Sequence, residues 1–366
     1  MIISFGAISE RSGLRRRLAR GLLAVAMLLM HVGASRAQTA APSATGCTVE
    51  GGAFRTGLAT GGVDHPLAGT AFATGTAAVM SHAAFERLFR GTLLPSAAIV
   101  LLGEVHDNPD HHVLRAALIG SFACAMPAPR AVVLEHIRAD QQPALDDLAR
   151  ASVAPGKFRS NAELFRVLEW DKSGWPAATM FAPLFDAAIA TGLAILPGDP
   201  PRGRVRALAR GEAGAVPVAE RVRLRLDEPM PQPLLDALAA ELKDSHCGVL
   251  PLTAIAGLSA AQRYRDAHQA DAVLAAAETH GGAVLLAGNG HVRTDRGVPW
   301  HIRQRAPERK TVSVMFLEVE AGSSDPQAYV PRAPDGRPAT DYVVLTPRAE
   351  RPDPCEAMRR QMQNKG

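Results

Sequence analysis

Short apolar runs separated by helical stretches constrain this 366-residue chain most tightly. Ala97-Ala98-Ile99-Val100-Leu101-Leu102 has no polar residue at either phase of a two-residue period, and Ala131-Val132-Val133-Leu134 repeats the pattern. A strand that is apolar at every position is buried on both faces, as in a parallel sheet covered by helices. Leu193–Leu196, Ala283–Ala287, Thr311–Val319 and Tyr342–Leu345 continue the series. Between the runs lie helical patterns over Pro109–Phe122, Gln142–Ala151, Ala162–Trp170, Pro176–Ala190, Pro233–Ser245 and Ser259–Thr279, with a shorter one capped by Ser81. The alternation predicts an α/β fold: a mostly parallel central sheet with helices on both faces. One short strand interrupts the helical block from about 140 to 280, which reads as an insert or cap. Residues 76–350 are expected to form this α/β domain. The Ala/Gly/Thr/Ser-rich stretch 38–75 reads as an irregular arm, and 351–366 as a tail.

Residues 1–37 read as an address. Arg11 to Arg20 are a basic region, Gly21–Met30 an apolar run, and Ser35-Arg36-Ala37 a small-residue cleavage site. An apolar stretch this short does not span about 30 Å of hydrocarbon. The expectation is a signal peptide cut after Ala37, with a periplasmic or secreted mature chain and no transmembrane anchor. The leader also accounts for the basic balance. Residues 1–37 carry six of the chain's 40 bases and one of its 36 acids, so beyond them 34 bases face 35 acids. Nucleic acid is therefore not an expected partner. Export puts the four cysteines in an oxidising compartment. Cys355 is expected in a disulfide with Cys247 or Cys47, whereas Cys124, in an apolar stretch, reads as a buried small hydrophobe.

The chemistry concentrates at strand ends. Leu101-Leu102-Gly103-Glu104-Val105-His106 and Leu286-Ala287-Gly288-Asn289-Gly290-His291 share one plan: apolar strand, glycine, two residues, histidine. In open α/β sheets the carboxyl ends of the strands form the ligand crevice. A third strand ends in Leu134-Glu135-His136 and contributes Glu135. Glu104, His106, Glu135 and His291 together suit a divalent metal, haem, or general acid–base work. After the first turn, Asn108 reads as a helix N-cap and Pro109 as the first helical residue. His111 and His112 then lie about 100° apart around that helix, so at most one can face the crevice, and both are biased neutral near a helix N-terminus. Tyr264 is one of three tyrosines; a tyrosinate can ligate haem iron. Arg293 can meet a haem propionate or pair with Asp295. The Walker, dinucleotide-binding, nucleophile-elbow and zinc-protease motifs are absent from the sequence, which removes the usual support for nucleotide binding, serine hydrolysis and helix-borne zinc proteolysis.

Gly103-Glu104-Val105-His106-Asp107-Asn108-Pro109-Asp110-His111-His112 resembles the ChaN-like haem-binding uptake family, within a superfamily of Tiki-type proteins and erythromycin-esterase-like enzymes. His65-Pro66-Leu67, Leu134-Glu135-His136, His246-Cys247-Gly248, Ala261–Asp266 and Gly288-Asn289-Gly290-His291-Val292-Arg293 extend the likeness over roughly residues 60–350. The resemblance implies an α/β fold, an exported location and haem binding tied to iron acquisition, with haem held across a homodimer and passed to a delivery partner. It implies His106, His111, His112, Tyr264, Arg265, His291 and Arg293 as candidate haem contacts. The opposing expectation is a metal-dependent hydrolase working through Glu104, His106, Glu135 and His291. The lipid-modified cysteine of anchored relatives has no counterpart here.

Overall fold

The computed structural model describes residues 65–125, 130–151, 158 and 160–363. The leader, most of the arm and Cys47 lie outside these residues. The centre is one eight-stranded sheet: β1 (Thr70–Ala73), β2 (Val79–Ser81), β3 (Ile99–Leu102), β4 (Ala131–Arg138), β5 (Ala194–Asp199), β6 (Ala283–Leu286), β7 (Thr311–Glu318) and β8 (Tyr342–Thr346), in the order β2-β1-β8-β7-β3-β6-β4-β5. From β8 to β5 every pairing is parallel; β1 runs antiparallel to both β8 and β2.

Period-two alternation sorts the strand residues between two cores. Val100 and Leu102 of β3 face one side, with Val132, Leu134 and Phe122. Ile99 and Leu101 face the other, against Ala270, Val273 and Ala277 of the 29-residue helix Leu252–His280. Helices thus cover both faces, as the fully apolar strands require.

Several elements were not expected, among them β2 and the helices Arg202–Ala209, Val218–Arg223 and Val298–Arg305, and two more overturn a stated reading. β1 lies in the stretch read as an irregular arm. Its Thr-Ala-Phe-Ala sequence has little strand signal, but the edge of β8 offers a ladder that buries Ala71 and Phe72 completely. The tail contains a helix, Pro354–Gln363, tied to the cap by the Cys247–Cys355 disulfide. Of the two partners expected for Cys355, the structure selects Cys247. Cys124 is disulfide-bonded too, a correction to its reading as a plain buried hydrophobe.

Candidate functional site

The central strands bring the two glycine–histidine turns together. β3 and β6 are parallel neighbours in the register Leu102↔Leu286, so both turns leave the same edge of the sheet. β4 pairs with β6 on its other side, Leu134 opposite Leu286, and carries Glu135 and His136 to that edge as well. Close backbone approach explains the glycines. A Cβ at position 103 would overlap the Asn289 carboxamide, and one at 288 would stand 3.1 Å from His106 Nε2 and 3.6 Å from Glu135 Oε2.

Two carboxylates organise the site, each on its own side of the sheet edge. Glu104 is buried. Its Oε1 accepts from His106 Nδ1 at 2.6 Å and from His136 Nε2 at 2.8 Å. Its Oε2 lies against the Arg115 guanidinium, with His112 Nδ1 3.2 Å away. Arg115 is fully buried, and burial lowers its pKa to about 9. An aromatic wall closes this half: His136 stands 4.7 Å from the Trp175 ring and 4.8 Å from that of Phe181. The ligand atoms of Glu104, His106 and His136 lie within 4.8 Å of one another, close enough to share a metal ion.

Glu135 organises the other half. Its Oε2 accepts from the Gly288 N–H at 2.6 Å, and its Oε1 from Arg265 at 2.7 Å. Arg265 also donates to Asp199 at the end of β5, again at 2.7 Å. His291 sits between two acids, Nε2 3.2 Å from Glu135 and Nδ1 2.6 Å from Asp266. Burial opposes its protonation, but Glu135 and Asp266 outweigh burial and raise the imidazole pKa to about 10. Burial alone would raise the Glu135 pKa; His291 and Arg265 instead hold it well below the usual carboxylate value. The Glu135 half lines a polar cavity of about 230 Å³, which His106 alone enters from the Glu104 half and which Leu238, Glu241 and Ser245 of the helix Gln232–Ser245 roof.

The sequence-picked residues divide clearly. Glu104, His106, Glu135, Arg265 and His291 meet at this edge. His106 is the open one of the two glycine–histidine imidazoles, with 39% of its side chain exposed against 5% for His291. Asn108 caps its helix as expected, its Oδ1 accepting from the Asp110 N–H at 3.0 Å. His112 faces Glu104, while His111 turns away, its Nδ1 accepting from the Val105 N–H at 2.9 Å and its Nε2 2.9 Å from Thr346 Oγ1. Burial holds His111 neutral with a pKa of about 3, and His112 with about 4. Tyr264 lies among the cap residues, donating to Glu220 at 2.9 Å. Arg293 pairs with Asp295 at 2.9 Å.

His136, Arg115 and Asp199 belong to the site but were not singled out, and Asp266, noted only within the Ala261–Asp266 likeness, is buried against His291. For His136 the signal was present: β4 continues to Arg138, so Glu135 and His136 point to opposite faces and serve opposite halves. Nothing local in the sequence marks Arg115, which arrives from the helix that follows β3, or Asp199, which arrives from the end of β5.

A family model described as haem-binding uptake, Tiki superfamily, ChaN matches residues 92–302, more than half of the chain and the whole of this strand edge. The chain belongs to that family. A solved ChaN structure from Campylobacter jejuni, with haem bound cofacially, shares the fold of this ChaN-family chain at TM-score 0.55 and 20% identity, over 75% of this chain and 95% of that one. An erythromycin esterase mutant, EreC in its open conformation, aligns over 75% and 96% at TM-score 0.43 and 15% identity. No curated protein matches the chain.

Proposed function

We propose that this is an exported haem-binding protein acting in haem and iron acquisition or storage, with haem as its cargo. The observation that carries the proposal is the family match across the strand-end crevice. The Cys247–Cys355 disulfide supports export to an oxidising compartment. Among the described residues no helix is long and apolar enough to cross a membrane. A homodimer and a delivery partner belong to the same reading.

The strand-end cavity itself does not suit a porphyrin. At about 230 Å³, lined by Glu135, Arg265, Asp266 and Glu241, it is smaller and more charged than sites that enclose a large apolar ligand. Haem therefore needs a neighbouring surface. Titrating the mature protein with ferric haem should give a saturable change in the Soret band; a spectrum identical to free haem at every ratio would overturn the reading.

The cluster Glu104, His106 and His136 favours a second reading, metal-dependent hydrolysis. These three residues would hold a divalent ion, which supplies an activated water when bound. His136 Nδ1, buried and without a hydrogen-bond partner, fits a histidine that an ion could reorient. Calorimetric titration with zinc or manganese should show one site that His136→Gln abolishes. An undiminished site in that variant would exclude this cluster.

A further inference from the structure

The helix Gln232–Ser245, which roofs the strand-end cavity, has little packing of its own: Leu238 is its single buried side chain. A helix with so few buried apolar contacts belongs to the low end of local stability. Its place therefore depends on tethers. One lies midway, where Glu241, 41% exposed, pairs with the buried Arg296. The other lies just past its C-terminal end, where Cys247 is bonded to Cys355. Cys247 (φ 58°) and Gly248 (φ 67°) are both left-handed, so the chain turns sharply there before it enters the helix Leu252–His280. The disulfide grips the hinge of the roof.

The far side of the bridge is anchored beside the site. After β8, the Pro347 carbonyl accepts from Asn108 Nδ2 at 3.1 Å, and the Ala349 N–H donates to Glu318, the last residue of β7, at 3.0 Å. Arg351 then pairs with Glu318 at 2.5 Å and, through Nε at 2.8 Å, with Asp107, the residue after His106. Residues 347–355 thus form a strap from the carboxyl edge of the sheet to the hinge of the roof. None of the described residues of the helix Pro354–Gln363 is buried, so that helix adds no apolar anchor of its own.

We propose that the Cys247–Cys355 bridge is a redox latch on the strand-end cavity: bonded, it closes the roof helix over His106 and Glu135; reduced, it lets that helix swing away and opens the cavity to solvent. A dithiol reductant supplies the chemistry. One of its thiolates attacks either sulfur, a mixed disulfide forms, and the other cysteine leaves as a thiolate; the reductant's second thiol then displaces the first cysteine. Two electrons pass to the pair, the reductant's two protons end on the cysteines, and the reductant ends as a disulfide. Both cysteines are half-buried, so a reductant reaches them in the folded chain. The sheet stays intact, because the strap keeps Ala349 and Arg351 on Glu318 without the bridge.

Hydrogen exchange read by mass spectrometry on the mature chain tests the latch, comparing the oxidised wild type with Cys247→Ser/Cys355→Ser. Amides of Gln232–Ser245 should exchange roughly tenfold faster in the variant, while β3 and β6 stay protected over the same exposure. Hydroxyl-radical footprinting should oxidise Leu238 about threefold more, because its side chain leaves the cavity for solvent. Dithiothreitol on the folded wild type should reproduce the faster exchange, and reoxidation should reverse it. In the variant the reagent should add nothing, which sets aside the bridge of Cys124. The reduced wild type carries the test alone if the variant does not fold. Roof-helix exchange unchanged by bridge removal would overturn the inference. So would loss of protection in β3 and β6 together with the roof, which marks a brace of the whole fold, or a bridge that dithiothreitol reduces only after denaturation. The haem-binding reading is tested separately, by its Soret titration, and none of these outcomes bears on it.

Discussion

Glu104 is a buried carboxylate set against Arg115, with His106 and His136 donating to its Oε1. Removing one member of such a group leaves the others uncompensated in a poor solvent for charge, which typically costs about 3–5 kcal/mol. Glu104→Gln should therefore lower unfolding stability by about that much in urea denaturation. Adding Arg115→Met should recover most of the loss, because the orphaned guanidinium goes too; a double variant no more stable than the single would show that the pair is not coupled. His291 gives a pH signature of definite sign. Its folded pKa of about 10 lies above the ordinary 6.5, so its stabilising effect is complete below pH 6.5 and fades as pH rises toward 10. The stability gap between wild type and His291→Gln should accordingly narrow from pH 6 to pH 10. A constant gap would mean that His291 is neutral in the folded protein. At this scale the sequence showed the residues that follow strands, Glu104, His106, Glu135 and His291, because a fully apolar run announces where its polar end emerges. It did not show Arg115, whose partner stands eleven positions earlier, nor that His111 would be spent on Thr346.

The elements were readable wherever the hydrophobic pattern was dense. All six apolar runs became strands, and the helix capped by Asn108 starts where its cap predicts. β1 escaped because a short strand of Thr, Ala and Phe takes its strand character from pairing with β8 and β2 rather than from its own side chains. The cap helices pack closely on the long helix: a Cβ at Gly257 would overlap the Ala209 carbonyl at the end of the helix Arg202–Ala209. Gly257→Ala should thus cost about 1–3 kcal/mol through forced backbone displacement; thermal unfolding with an unchanged midpoint would contradict that contact. The Cys247–Cys355 bridge closes a separation of 108 residues between the cap and the C-terminal helix. A disulfide stabilises by about 2–4 kcal/mol in typical proteins. Cys247→Ser with Cys355→Ser should lose that amount in denaturant titration, and thiol counting on the unreduced, denatured wild type should find Cys247 and Cys355 unreactive.

For the whole molecule, the account joins an α/β domain, proposed to be exported, to a small charged concavity at its strand ends. The address falls on residues outside the described part of the chain. It predicts that protein recovered from the periplasm begins at Gln38, which intact-mass measurement checks; a chain still starting at Met1 there would contradict it. The central claim is the proposal that the protein binds haem outside its small strand-end cavity. Crystals of the mature protein grown with ferric haem, measured at the iron absorption edge, test this most directly. The account predicts one ordered anomalous iron peak on the protein, outside the strand-end cavity of about 230 Å³. No peak at full haem saturation, or one inside that cavity, would contradict it.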